Sequence, residues 1–346
     1  GLAQRKGDRW LIQNPPALPP SQSELDHIYA LDFQRAQHPY YELQGAVKTL
    51  ETTRFSIPTH RGCYGECNFC AIAVHEGRTV TSRSVESILA EARRITSHPE
   101  FKGIIPDLSG PTANMYGFEC AKKLKLGACE DKRCLFPTIC PALPVDHSQQ
   151  IELLQKVRQI PGIKNVSVGS GIRYDMVLAD QKFGMPYLNE IVRYHTSGQL
   201  KIAPEHSVPA ILSLMGKPSV DSLVKFKDKF QTLSRKAGKE QFLTYYLIAA
   251  YPGCSEKEMK ALRKFVSANL QILPEQVQVF TPTPSTYASV MYYTETDPFT
   301  GAPLFVEKNL HRKAVQKEIL HTAKVNDHAP IHRNRNQSGK VTAVRK

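Results

Sequence analysis

No stretch of the 346-residue chain approaches the ~18 consecutive apolar residues that mark a membrane-spanning helix, so no transmembrane segment is expected. The opening residues, Gly1-Leu2-Ala3-Gln4-Arg5-Lys6, lack the apolar run of a secretory signal. A phosphate loop is missing as well. Met215-Gly216-Lys217-Pro218-Ser219 contains a Gly-Lys pair, but Ile211 stands where the first glycine is needed and Pro218 where Ser or Thr is needed. No internal repeat stands out. Acids are scarce at one end: across 308–346 ten lysines and arginines face only Glu318 and Asp327, out of a net charge of +13 for the whole chain. Such a stretch can attract RNA through phosphate charge, or can simply be a solvated, disordered end.

Eight cysteines are present. A disulfide framework belongs to short secreted chains, whereas clustered cysteines in a chain of this length point to metal binding or catalysis. A reducing, cytoplasmic compartment follows. Hydrophobic residues make up 41%, ordinary for a chain with a sizeable core.

Residues 1–53 read as an extension, kept extended after Asn14 by Pro15, Pro16, Pro19 and Pro20. Six strand-like runs follow at 54–59, 103–108, 164–168, 199–203, 242–249 and 276–280. Amphipathic helical patterns lie between them, at 85–92 with Ser84 as N-cap, and at 151–157, 188–194, 222–233 and 257–266. Alternating strands and helices predict an α/β fold with a parallel sheet. Each run ends in Gly, Pro, Ser or charged residues, the end at which parallel α/β barrels carry their sites. The expected organisation is an N-terminal extension over 1–53, a core over 54–300 with a cysteine-rich insertion at 116–146, and a basic C-terminal extension over 301–346. In the last, a short helix is expected at 312–321 and disorder at 332–339.

The densest chemistry lies in Thr59-His60-Arg61-Gly62-Cys63-Tyr64-Gly65-Glu66-Cys67-Asn68-Phe69-Cys70. The spacing C-x3-C-x2-C puts three thiolates on one short loop. They can hold three irons of a cubane cluster and leave the fourth open, where iron–sulfur clusters ordinarily take four cysteines. An open metal position implies chemistry, by analogy with zinc sites. The same loop could also serve a structural zinc with His60 or His75 as fourth ligand.

At these residues the chain resembles the radical S-adenosylmethionine (SAM) superfamily, and within it the YgiQ-type subgroup. The further segments that carry the resemblance are His75-Glu76-Gly77-Arg78, Ser82-Arg83-Ser84, Asp107-Leu108-Ser109-Gly110-Pro111-Thr112-Ala113-Asn114-Met115-Tyr116, Leu200-Lys201-Ile202-Ala203-Pro204-Glu205-His206, Ala237-Gly238-Lys239-Glu240-Gln241 and Met291-Tyr292-Tyr293-Thr294. The resemblance implies a partial (β/α)6 TIM-like barrel and a [4Fe–4S] cluster on Cys63, Cys67 and Cys70 whose open iron binds SAM. It implies reductive cleavage of SAM to a 5′-deoxyadenosyl radical that takes hydrogen from a substrate, with an electron donor such as flavodoxin or ferredoxin. The subgroup normally carries a further N-terminal domain, and this chain opens on Gly1 rather than Met, as a fragment would.

The resemblance also implies cofactor contacts. Phe69 would pack beside adenine. Ser109, Gly110, Pro111 and Thr112 replace the Gly-Gly-Glu that often binds the SAM amino group; carbonyls and Thr112 can accept from an ammonium, or the segment is an ordinary turn. Ser170 and Arg173 would meet ribose or carboxylate, unless Arg173 forms a surface pair with Asp175. Glu205 would bond ribose hydroxyls or pair with Lys201, and His206 could move a proton. Tyr251, Pro252 and Gly253 would approach adenine by backbone. Arg61 and Arg78 would tune cluster charge. Cys120, Cys129, Cys134 and Cys140, recurrent in the subgroup, could close a second zinc or iron–sulfur site, or stay as free thiols. The competing expectations are an RNA-modifying enzyme of the same superfamily and a non-enzymatic, zinc-stabilised RNA-binding module.

Overall fold

The computed structural model describes residues 1–14, 17–45 and 47–321. The chain opens with two antiparallel strands, β1 (Leu2–Lys6) and β2 (Arg9–Gln13), in which every residue is exposed. Helix Gln22–Ala30 comes next. Ser21 accepts from the Glu24 N–H while the Glu24 side chain returns to the Ser21 N–H, a reciprocal cap written in the sequence as Ser21-Gln22-Ser23-Glu24. The extended reading of this stretch is therefore corrected: it becomes helical directly after Pro19-Pro20.

The remaining strands are β3 (Ile57–Pro58), β4 (His60–Arg61), β5 (Thr81–Ser82), β6 (Ile104–Ile105), β7 (Leu108–Ser109), β8 (Asn165–Val166), β9 (Gln199–Glu205), β10 (Phe242–Ala249) and β11 (Val277–Val279). Parallel neighbours succeed one another along the chain. β3 pairs with β7, and β6 with β8. The Leu108 N–H reaches Ser167 O at 2.9 Å, Ile172 bridges to Ile202, and β9, β10 and β11 pair in that order. Among the described residues β11 does not pair with β3, so the sheet is not a closed barrel.

Two of the expected runs are broken for local reasons. In 54–59 the parallel pairing ends at Pro58, and His60–Arg61 turns away to pair antiparallel with Thr81–Ser82. In 103–108 the strand divides around Pro106, which has no N–H to give a ladder.

Helices cover one face. Helix Val85–Thr96 buries Ile88, Ala92 and Ile95, and Ser84 caps it by accepting from the Ser87 N–H at 3.1 Å. Helices Ser148–Arg158, Val220–Lys236 and Glu256–Phe265 bury Leu153 and Val157, Phe226 and Phe230, and Met259 and Leu262. The helix expected at 188–194 is shifted to Gly184–Glu190 and runs into a π turn, Ile191–His195. Helix Leu310–His321 closes the described chain. Its Gln316 donates to Cys254 O at 3.3 Å and accepts from the Ala250 N–H at 3.1 Å. The tail expected to be disordered at 332–339 lies outside the described residues.

Helix Gln22–Ala30 is pinned to helix Val85–Thr96. Asp26 accepts from the Ser84 N–H at 3.0 Å, Arg94 donates to Tyr29 O and Ala30 O, and the Arg83 guanidinium lies 4.1 Å over the Tyr29 ring. Beneath them the buried Glu91 takes Arg83 at 2.6 Å and also Arg35. Removing a buried charge's partner costs far more than the pair itself contributes. Glu91→Ala strands two guanidiniums and is expected to lower stability by about 3–5 kcal/mol, read as a lower denaturant midpoint at unchanged slope.

Candidate active site

After β4 the chain turns at Gly62, whose φ is +90° and whose Cβ, if it had one, would lie 2.0 Å from Thr79 O. Only glycine fits there. The loop carrying Cys63, Cys67 and Cys70 follows, tied down by Asn68. The Asn68 N–H reaches Met215 O at 2.9 Å, its Nδ2 reaches Leu214 O at 2.7 Å, and its own O accepts from the Ala288 N–H at 2.8 Å. Glu66 sits in the left-handed region at φ +47°. That strain is held by Arg78 at 2.8 Å and by Lys123 at 3.1 Å. Lys123 is buried in helix Ala121–Leu126, so the cysteine-rich insertion grips the three-cysteine loop directly.

The three cysteines line one cavity of about 1270 Å³. Cys63 Sγ accepts from the Gly65 N–H at 3.3 Å and lies 3.3 Å from Thr112 Oγ1, and Arg173 Nη1 is 3.9 Å from Cys67 Sγ. Burial pushes the Cys63 thiol up, against the hydrogen bond from Thr112, and pushes Cys70 up to about 11. Partly buried thiols raised in this way hold their protons until a cation replaces them, and metal binding does that. Three thiols opening on one cavity, with a backbone N–H, a hydroxyl and a guanidinium beside the sulfurs, fit a thiolate-bound metal group.

Of the histidines weighed as zinc ligands, His60 is wedged between Thr59 Oγ1 at 2.9 Å and Thr112 O at 3.1 Å, and burial holds it down to about 4. His75 is exposed at the end of helix Ile72–His75. Among the described residues no three Cys, His, Asp or Glu side chains meet at the spacing that a single ion requires. In the insertion, Cys120 and Cys134 lie in a buried cluster with Tyr64, Met115 and Leu135. The Cys129 carbonyl accepts from Arg78 at 2.9 Å, and the Cys140 N–H donates to Cys134 O at 2.8 Å.

The cavity walls come from the strand ends. Arg173 grips Asp175 with two bonds, Nε to Oδ1 at 2.8 Å and Nη2 to Oδ2 at 2.6 Å. The pair expected at the surface is thus buried, and Nη1 is left facing Cys67. Burial works to raise the Asp175 carboxyl, but Arg173 overrides it and holds it low. Behind the arginine, Asn114 takes its N–H and gives to its O, His147 lies 3.1 Å from Asn114, and Asp180 lies 2.8 Å from His147. Asp107, given no role of its own by its motif, organises two loops: it accepts from Ser109 at 2.7 Å, Gly169 at 2.8 Å and Ser170 at 2.5 Å.

Phe69, Pro111, Thr112, Ser170, Arg173 and Glu205 all face the cavity, whereas Ser109 and Gly110 do not. Gly110 packs against the His60 ring, where a Cβ would lie 2.4 Å away. Glu205, at φ +68°, pairs with Lys217 at 3.8 Å rather than with Lys201. Four residues apart on a strand is roughly 13 Å, beyond any ion pair. Burial pushes the Glu205 carboxyl up against the pull of Lys217 and Arg173. Lys217 belongs to the segment set aside as a failed phosphate loop. It faces the cavity because Gly216, at φ +68°, turns the chain after helix Pro209–Met215.

Tyr251, Pro252 and Gly253 are not on the wall. Tyr251 meets the Phe69 ring edge-on at 6.2 Å and donates to Leu214 O at 3.0 Å. Gly253 donates to Phe305 O at 2.7 Å, and a Cβ there would lie 2.6 Å from Leu214 Cδ1. His206 is buried with Nε2 3.6 Å from Cys254 Sγ and does not line the cavity. Arg61 donates to His75 O, and Arg78 is committed to Glu66.

A Cβ at position 65 would lie 3.2 Å from Cys63 Sγ and 3.3 Å from Arg173 Nη1. Gly65→Ala is therefore expected to lower the iron retained after reconstitution at least about twofold, counted per chain, while thermal stability stays within about 0.5 kcal/mol of wild type. Burial holds His206 down to about 4, whereas an unfolded histidine takes its proton near ~6.5. Between those values the unfolded chain binds the extra proton, so stability falls as pH drops from ~6.5 towards 4. The contribution is on the order of 3 kcal/mol, and His206→Gln should flatten that part of the curve in denaturation series on the apo chain.

A family model described as "Radical SAM N-terminal" matches residues 1–56, and one described as "Domain of unknown function (DUF3362)" matches residues 275–339. A UPF0313 protein of Fusobacterium nucleatum is 56% identical over 92% of this chain and 56% of its own length. UPF0313 proteins of Methanosarcina mazei and Thermotoga maritima are 43% and 46% identical, over 99% and 92% of this chain and 54% and 55% of theirs. The chain thus spans about half the length of the curated relatives it matches. Among solved structures, the radical S-adenosylmethionine methyltransferase TsrM from Kitasatospora setae, with cobalamin and [4Fe–4S] cluster bound, matches at a TM-score of 0.47 and 12% identity, over 83% of this chain and 49% of that one. The cobalamin-dependent S-adenosylmethionine radical enzyme OxsB, with aqua-cobalamin and S-adenosylmethionine bound, matches at 0.45 and 16%, over 72% and 31%.

Proposed function

We propose that this chain is a radical S-adenosylmethionine enzyme that cleaves SAM reductively at a [4Fe–4S] cluster held by Cys63, Cys67 and Cys70, a reading that the Radical SAM N-terminal match over residues 1–56 supports. One observation carries the reading: the three thiols open onto the same cavity as Thr112, Ser170, Arg173 and Glu205. The chemistry that such a cluster supplies is one-electron reduction of SAM, giving methionine and a 5′-deoxyadenosyl radical that takes a hydrogen atom from a second molecule.

The protein's part is to hold and to shield. Thr112 and nearby carbonyls accept from the ammonium of the methionine moiety. Arg173, its fork fixed by Asp175, presents Nη1 to the cysteine end as a fixed positive charge for a carboxylate. Glu205 accepts from ribose hydroxyls, and Lys217 offsets its charge. Phe69 supplies the flat face for adenine, a place the wall does not give to Tyr251, Pro252 or Gly253. The six parallel segments in chain order support a partial (β/α)6 barrel over 54–300, between an N-terminal extension over 1–53 and a basic extension over 301–346. Two of the basic stretch's cations are engaged within the fold, Lys308 by Glu295 and Lys313 by Tyr292. RNA as substrate rests on the charge of the rest. A cytoplasmic site and a flavodoxin or ferredoxin as donor follow from the reductive chemistry.

Anaerobic reconstitution with iron and sulfide, then SAM and dithionite, tests the reading. Wild type is expected to turn brown and to release 5′-deoxyadenosine, and Cys67→Ala to release none. No product from the wild type, or equal product from both, would overturn the reading, and a colourless, zinc-loaded chain would point instead to a non-enzymatic metal-binding module.

A further inference from the structure

Lys201 stands in the cavity wall, and among the described residues no ion pair answers its charge. β9 turns Leu200 and Ile202 into the core and Gln199, Lys201, Ala203 and Glu205 towards the cavity, as the two-residue period of a strand requires. The other charged groups that line the interior are satisfied. Arg173 holds Asp175, Lys217 lies against Glu205, Glu66 takes Arg78 and Lys123, and Asp107 accepts three hydrogen bonds. Glu240 is exposed at the rim. Among the described residues no hydrogen bond or ion pair engages the Lys201 ammonium.

Lys201 is also remote from the cysteine end, roughly 13 Å of strand before Glu205. Between them β9 bulges. Tyr245 pairs with Ile202 and Leu247 with Glu205, so Ala203 and Pro204 together oppose the single Tyr246. Bulges of this kind re-aim side chains beside functional sites. Here Tyr246 is half-buried on the cavity wall, its hydroxyl engaged by no hydrogen bond among the described residues. Gln199 lies one inward position from Lys201, and Thr244 is the direct register partner of Lys201.

We propose that this far end of the cavity binds the second molecule through an anionic group, a carboxylate or a phosphate, with Lys201 as its counter-charge and Tyr246 as a hydroxyl donor. The inference rests on the reading that the cavity holds a second molecule beside SAM. Lys201 is a half-buried residue on the cavity wall, and an oxyanion that accepts from its ammonium gains a charge-assisted hydrogen bond.

The test uses the reconstituted chain in a buffer free of oxyanions, with inorganic phosphate and acetate titrated separately and the thermal midpoint followed. A saturable rise is expected with phosphate if the group is a phosphate, and with acetate if it is a carboxylate. The rise should weaken at least about tenfold in Lys201→Met and persist in Lys201→Arg. No rise with either anion, or the same rise in Lys201→Met, overturns the anion site. Release of 5′-deoxyadenosine by the wild type, assayed on the same preparation, separates the two failures: its absence counts against the reaction, whereas an unchanged titration in Lys201→Met counts against the anion site.

Discussion

Burial disfavours the anionic form of Cys63 and Cys70 on the loop after β4, and the surroundings of the cavity answer that one constraint. Cys63 and Cys70 are pushed towards the protonated state. A thiol in that condition is a poor ligand and a poor nucleophile until positive charge arrives. The fold supplies fixed donors around the sulfurs: the Gly65 N–H and Thr112 hydroxyl at Cys63, and the Arg173 guanidinium near Cys67. None of these replaces a metal. They would lower the cost of the thiolate were a metal bound there, as hydrogen bonds to cluster sulfurs do.

Such donors help only if they cannot move, and both Arg173 and the loop are backed by a second, buried layer. Arg173 is locked by Asp175 at its side chain and by Asn114 at its backbone, with His147 and Asp180 behind. The loop itself is held in a left-handed turn at Glu66 by Lys123 from the insertion. Buried ion pairs add little net stability, because desolvation consumes most of the attraction. Their effect here is geometric: if one member is lost, the remaining charge is stranded beside the thiols. The cysteine-rich insertion therefore has a mechanical role through Lys123, independent of what its own cysteines bind.

Much of the scaffold was legible because it depends on local pattern. Helical spacing of Val85, Ile88, Leu89, Ala92 and Ile95 marked helix Val85–Thr96, and apolar runs marked β9, β10 and β11. The three-cysteine loop was legible for the same reason, since its ligands are close in sequence. The partners of charged residues were not, because they come from distant segments. Lys201 and Glu205 are four apart, a spacing that pairs side chains on a helix but separates them by roughly 13 Å on a strand. Glu205 found Lys217 instead, twelve residues on, across the turn at Gly216. Asp107 was hidden by its place at the end of an apolar run, although Asp and Ser at a strand end are the residues that tie loops together. The helix at Gln22–Ala30 was written locally in Ser21 and Glu24, but the neighbouring prolines outweighed the signal.

The pairing of charges divides the cavity into two ends. At the cysteine end every charge is answered within the protein: Arg173 by Asp175, Glu205 by Lys217, Glu66 by Arg78 and Lys123. An end so balanced can be strict about shape while remaining stable when empty. At the Lys201 end, among the described residues, no hydrogen bond or ion pair engages the Lys201 ammonium or the Tyr246 hydroxyl, and a bulge in β9 opposite Tyr246 shapes the wall there. Unanswered polar groups cost stability, so a fold that keeps them gains where a ligand completes the pairing. The discrimination such a site achieves comes from the penalty of leaving its own groups unpaired, which falls on any molecule lacking the matching anion. The two ends thus differ in what they demand of their occupants. On the proposed reading, the cysteine end would select by fit to a preformed frame, and the far end by the charge it lacks.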